Sequence, residues 1–344
     1  MSKKFKNKDL AARLGVSGTL VSLVLNNKGD QHGISKATQE KVLMAAKQMG
    51  YFNTIYENNS TSPAEETPGV IGMIVSSMSD HFICGITPYL HDALTGIGFG
   101  FSLITRDPDD IRFDRLIAAF KKFFSGMILV GDAADDSTIR ALRNADYPFV
   151  VLDSNNMHGR INSVNTDFNA GADLIADHIS KMGYKNIVII TGKQSEKVNT
   201  NRIEILEDAI LKLPGIKKPV IRELEKVNSA DEYNFNNIET LLRPPFRAEI
   251  FITVSSSMVY PLLRFLERKK QRIPQDLALI SAEEGIGFDL LNPPVTCLRK
   301  PLASMAMKTT NMIWTEIKNG GKSKYKRQVN TTPELVIRTS CGTI

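Results

Sequence analysis

The stretch DLAARLGVSGTLVSLVLNN, Asp9–Asn27, decides how the chain begins. Leu10, Ala11 and Leu14 recur at helical spacing, so they share one face of a helix. Gly15 follows, where a left-handed residue ends a helix cheaply. Ser17 is a good N-cap for a second helix with Leu20, Val21, Val24 and Leu25 on its apolar face. NNKGDQHG is a loop, and Ser35 caps a third helix that turns Val42, Leu43, Ala46 and Met49 inward before Gly50. A helix, a glycine-containing turn and a second helix make a helix-turn-helix. Such a motif places the N-terminal end of its second helix in the DNA major groove.

Charge separates this head from the rest. Residues 1–52 carry nine Lys/Arg against three acids, a net +6 that is the formal charge of the whole 344-residue chain. The remainder is balanced, so a polyanion partner is expected for the head alone. Composition, 42% hydrophobic and 23% charged, is that of a globular protein, and the length predicts two or three domains. No apolar run reaches the roughly 18 residues of a membrane span, and MSKKFKNKDL lacks the apolar segment of a secretory signal. Cys84, Cys297 and Cys341 are far apart and read as reduced, mostly buried residues. A cytoplasmic protein is expected.

From Gly69 onward short apolar, β-branched runs alternate with amphipathic stretches. GVIGMIVSS, GFSLITR, GMILVGD and PFVVLDS are predicted strands, with helices over Phe82–Thr95 and Phe113–Phe123. A second series is expected to restart at INSVNTD and continue through KNIVIITG, PVIREL, AEIFITV and DLALISAEE. Helices are expected between them over Asn169–Met182, Asn201–Leu213, Glu232–Leu241 and Ser257–Lys269. This pattern predicts two doubly wound α/β lobes. Ligands bind such sheets at the carboxyl ends of their strands, where Ser77, Asp132, Asp153, Ser255 and Glu283 fall. Most of them taken singly are better explained as a helix cap or a loop residue; a cleft that gathers several is the stronger reading.

The motifs DLAARLGVS, VSLVLNN and ISKATQEKVLMAAKQMGY resemble the DNA-binding domain of the lac repressor family of bacterial transcription regulators. The body resembles the same family in SVNTDFNAGADLIADHISKMGYKNIVIITG and RIPQDLALIS. The resemblance implies a helix-turn-helix domain over 1–52, a linker or hinge over 53–68, and a periplasmic-binding-protein-like effector and dimerisation domain over 69–344. Lobe 1 is expected at about 69–164 plus 294–318, and lobe 2 at about 165–293 plus 319–344. It implies DNA contacts from Lys6, Asn7, Ser17, Gly18, Thr19, Leu20, Ser22, Asn26, Ser35, Thr38 and Tyr51, and hinge roles for Asn53 and Ile55. Arg202 matches the effector-clamping arginine, Glu283 stands where an aspartate is usual, and Asp80 and Phe82 match a pocket-lining segment. With Ser77, Asp132, Asp153 and Ser255 these form the expected effector set.

Two departures stand out. Leu23 occupies the place of a usual arginine that can read guanine, so direct base readout is expected to be thin. GYFNTIYENNSTSPAEETPG lacks the usual hinge pattern, so weak or absent insertion of a hinge helix into the minor groove is expected. The implied partners are a near-palindromic double-stranded operator, a small-molecule effector of carbohydrate type and a second copy of the chain. A dimer is expected because no heptad tail follows the last predicted strand. The alternatives are a periplasmic solute-binding protein and, less favoured, an enzyme on the same fold. GIGFG is not a dinucleotide fingerprint, and no P-loop, HExxH or GxSxG occurs. No catalytic residue, metal site, cofactor or membrane partner is expected.

Overall fold

The computed structural model describes residues 7–25, 29, 32–48, 69–78, 80–106, 113–154, 161–192, 198–225, 227, 233–323 and 325–342. The head has α1 (Asn7–Leu14), α2 (Gly18–Leu25) and α3 (Lys36–Gln48). Its core is Leu10, Ala11, Val21, Val24, Val42, Ala45 and Ala46, with Leu14, Val16, Leu20, Leu25 and Ile34 packed against it. Gly15 sits at φ 65, the left-handed backbone that lets α1 stop and α2 start within three residues. Ala45 joins the buried face of α3 beside the expected Val42 and Ala46.

The first lobe is a six-stranded, wholly parallel sheet of order β11-β5-β4-β3-β1-β2. Its strands are β1 (Val70–Val75), β2 (Gly100–Thr105), β3 (Gly126–Val130), β4 (Phe149–Leu152), β5 (Ser163–Thr166) and β11 (Gln328–Thr331). Strand periodicity puts Ile128 and Val130 in one core and Met127 and Leu129 in the other. On the first face α4 (His81–Thr95) contributes Ile83, Ile86, Leu90 and Leu94, and α11 (Leu302–Lys318) contributes Met305, Ala306 and Ile313. On the other, α5 (Phe113–Phe123) and α6 (Asp136–Asn144) contribute Ile117, Ile139 and Leu142.

The second lobe repeats the plan in the order β12-β10-β9-β8-β6-β7, with only β12 antiparallel. Its strands are β6 (Ile187–Gly192), β7 (Val220–Leu224), β8 (Ile250–Thr253), β9 (Ala278–Ser281), β10 (Thr296–Arg299) and β12 (Glu334–Val336). Helices α7 (Phe168–Met182) and α8 (Val198–Leu211) cover one face, and α9 (Asn236–Glu239) and α10 (Val259–Arg268) the other. The fold is thus an all-α helix-turn-helix head and a two-lobe α/β body, as the residue pattern predicts.

Details of the lobe assignment are corrected. INSVNTD does not restart the fold: β5 pairs with β4 in the first sheet, so the chain crosses after Thr166. Strand β10, expected in lobe 1, pairs with β9 in lobe 2, while α11 does pack on lobe 1. Strand β11, expected in lobe 2, pairs with β5 in lobe 1. Strands of four residues carry too few apolar positions to declare which sheet they join; backbone pairing decides it. The helix expected over Glu232–Leu241 shortens to α9 and a 3-10 turn, Thr240–Leu242. Phe235 and Tyr233 instead enter the core beside Phe265.

Candidate functional site

The head presents one polar end of α2. Ser17 Oγ accepts the Leu20 amide at 3.1 Å, which satisfies an otherwise orphaned donor of the first turn. Gly18 and Thr19 are exposed, Ser22 is half-buried, and Leu20 is turned toward the core as well as outward. A Cβ built on Gly18 meets nothing within 4 Å, so packing does not demand glycine there. At the start of α3, Ser35 Oγ lies 2.8 Å from Thr38 Oγ1 and accepts the Thr38 amide at 3.3 Å. Asn7 opens α1 and is exposed. Lys6, Asn26, Tyr51, Asn53 and Ile55 lie outside the described residues, as does the expectation about the hinge.

The body gathers its charges where the lobes meet. Asp153 ends β4 in lobe 1; Glu283 follows β9 and Arg202 rises from α8 in lobe 2; Lys300 stands at the crossing from β10 to α11. Lys300 Nζ lies 2.7 Å from Asp153 and 3.1 Å from Glu283. Arg202 lies 2.5 Å from Glu283 and 3.8 Å from Asp153. These side chains are only 7% to 17% exposed, so the charges alternate in a nearly dry ring. Thr166 steadies Asp153, its hydroxyl donating at 2.6 Å and its amide at 3.2 Å. Asp153 holds φ 50, a left-handed conformation that Asp tolerates better than most residues but at a cost.

Burial alone would raise both carboxyl pKa values. The charges of Lys300 and then Arg202 overcome it and hold Asp153 and Glu283 down at about 2. Two further acids face the same place without such pairing. Asp80 spends Oδ1 capping α4, accepting the Phe82 amide at 2.8 Å. Its pKa is raised by crowding in the cleft and by Glu283, against the pull of Lys300. Asp132, on the turn after β3, is raised by the same crowding and by Asp80, against Arg202. Both residues keep an exposed side, so the cleft offers acceptors that water or a ligand can reach. The Phe82 ring lies 4.4 Å from Lys300 Nζ, within cation–π range.

Beside the ring an interlobe cavity of about 280 Å³ opens between His81, Phe82 and Leu302 of lobe 1 and Ser256, Glu283 and Gly287 of lobe 2. That is the low end of small-ligand sites, roughly 300–1,000 Å³. The His81 ring meets Tyr260 edge-on at 6.1 Å across the gap.

Matches to known proteins agree with this division of labour. The profile described as "Bacterial regulatory proteins, lacI family" matches residues 8–53, and "Periplasmic binding protein-like domain" matches residues 176–341. The chain carries a lacI-family DNA-binding domain followed by a periplasmic-binding-protein-like domain. Among its relatives, the HTH-type transcriptional repressor PurR of Haemophilus influenzae is 24% identical over 98% of both chains. The HTH-type transcriptional regulator MalR of Streptomyces coelicolor is 22% identical over 96% of this chain and 95% of that one. A crystal structure of a LacI family transcriptional regulator from Enterococcus faecium with bound ribose superposes with a TM-score of 0.67 at 18% identity, covering 79% of this chain and 98% of that one. A complex of the transcriptional regulator CelR with cellobiose gives 0.67 at 21%, covering 98% and 99%.

The structure brings Asp80, Phe82, Asp132, Asp153, Arg202 and Glu283 into one electrostatic neighbourhood. Ser77 is exposed after β1, and Ser255 is engaged with Ser257, 2.9 Å between hydroxyls, as the cap of a short 3-10 turn. Glu284 forms a separate fork with Arg299, at 2.7 Å to both oxygens, and meets Arg338 at 2.8 Å. Arg106, a strand-end residue, pairs with Asp135 and donates to Thr138 at 2.8 Å, which fixes the start of α6. Lys300 and His81 were missed. Lys300 precedes Pro301 in a segment expected to lie wholly in lobe 1, so nothing in its neighbours announced a cleft position.

Proposed function

We propose that this protein is a transcriptional repressor that binds a near-palindromic operator as a homodimer in the cytoplasm. Its operator affinity is set by a small hydroxyl-rich effector, of carbohydrate type, bound in the interlobe cleft. The observation that carries this reading is the pairing, in one chain, of an exposed α2 N-terminus on a basic head with a cleft whose polar groups come from both lobes. Short hydroxyl side chains at helix starts suit phosphate contacts, which fix register on the duplex. Gly18 and Thr19 offer little reach toward bases, so DNA shape contributes to specificity. In the cleft, Asp80 and Asp132 supply acceptors for ligand hydroxyls. Ligand-dependent change in lobe arrangement alters head placement only if the ligand binds one arrangement better, and the coupling is then reciprocal. The ribose and cellobiose held by the two structural neighbours support the carbohydrate reading.

The test is binding of the full chain to the DNA upstream of its own gene. Affinity should fall steeply with salt, because phosphate contacts release counterions, and should vanish when residues 1–52 are deleted. Undiminished binding by the truncated chain would refute the reading. A thermal-shift series with sugars then identifies the effector, since a ligand specific to the folded state stabilises by mass action.

A further inference from the structure

Lys300 is a cation that the sequence did not mark and that the expected effector set does not use. It occupies the middle of the cleft floor. Its ammonium reaches Asp153 of lobe 1 at 2.7 Å and Glu283 of lobe 2 at 3.1 Å, and lies over the Phe82 ring of lobe 1. Arg202 closes the ring from the other side. Separating the lobes would break the pairing of Arg202 with Asp153 and, because Lys300 stands on the segment that joins the lobes, at least one of its two pairings. Charges left uncompensated in this way are costly.

We propose that Asp153 and Glu283, with the Phe82 ring, form a primary-ammonium site, filled in the resting protein by the side chain of Lys300. The lobes are therefore held together by a tethered cation. An external ligand that takes over the place of the Lys300 ammonium and keeps Asp153 closely paired must itself carry a protonated amine, since Arg202 stays 3.8 Å from Asp153. Anionic ligands are disfavoured, because they would draw Arg202 and Lys300 away from two buried acids. The proposal rests on the cleft being the effector site but not on the head binding DNA.

The experiment uses the full-length Lys300→Ala variant and propylammonium, which replaces the deleted ammonium-bearing chain. The variant should melt about 5 °C or more below the wild type and show a larger radius of gyration by small-angle scattering. Propylammonium should restore at least half of each change, while tetramethylammonium and sodium chloride at equal ionic strength should not. The wild type should respond to none of the three. A variant as compact and stable as the wild type, or equal recovery with tetramethylammonium, overturns the proposal. If Lys300→Ala does not fold, reductive methylation of the native wild type decides: Lys300 should stay unmodified while exposed lysines such as Lys122 and Lys318 react, and rapid modification of Lys300 overturns it. Loss of operator binding by the wild type would sink the regulator reading alone and leave the ammonium site standing.

Discussion

The head and the cleft use charge in opposite ways. In the head, basic residues such as Lys8 and Arg13 are exposed and the core beneath them is purely apolar. In the cleft, Asp153, Arg202, Glu283 and Lys300 are buried against one another. Exposed charges act collectively and at a distance, and each contributes little to folding. Buried charges act pairwise, and each depends on its partner being present. Recognition of a long polyanion therefore suits the first arrangement, and discrimination between two lobe arrangements suits the second.

The largest effect should follow from breaking the buried ring. Lys300→Ala should destabilise the body by about 3–5 kcal/mol in denaturant titration, the usual cost of stranding a buried partner. Lys8→Ala on the head should change stability by less than about 0.5 kcal/mol. Equal small effects from both would erase the contrast. Next, Leu10→Ala should cost the head about 2–5 kcal/mol, because Leu10 is fully buried in a core of few residues. Operator binding should be lost with it, while melting of the body stays unchanged.

Acid should separate the two regions as well. Asp153 and Glu283 titrate at about 2 in the folded chain against 3.8 and 4.5 as their ordinary values. Depressed carboxyl pKa values give stability that is complete above about pH 4.5 and lost as pH falls toward 2. The body's melting temperature should decline across that window, and Lys300→Ala should flatten the decline. A body that melts at the same temperature at pH 5 and pH 3 would contradict the ring's role.

Two smaller changes sharpen the picture of the head. Ser17→Ala removes the cap on the Leu20 amide and should cost about 1 kcal/mol. Gly18→Ala should be neutral or stabilising by up to about 1 kcal/mol, since glycine costs helix stability and the added Cβ meets open space. A change in operator affinity from Gly18→Ala without a change in stability would place that position against DNA.

How much of this was legible beforehand varied with the range of the forces involved. The helix boundaries around Gly15 and Ser17 followed from local turn and cap chemistry. The alternating strand faces of Met127–Val130 followed from the two-residue period. Arg202, Asp153, Asp80 and Glu283 were found one by one, from strand-end position or family resemblance, with nothing to say how they were paired. Ser255 was proposed on the same grounds and is occupied as a cap. Lys300 left no signal, because a lysine beside a proline after a short strand is ordinary in a surface loop.

By itself the sequence determined the three-helix head, the doubly wound character of the body and the segregation of positive charge, because these depend on contacts between near neighbours and on composition. Only the tertiary structure decided that β10 and β11 change lobes, and that Lys300 meets Asp153 across 147 residues of chain. Which four-residue strand joins which sheet, and which charges share one dry site, depend on long-range pairing of backbone and side chains that no local pattern encodes.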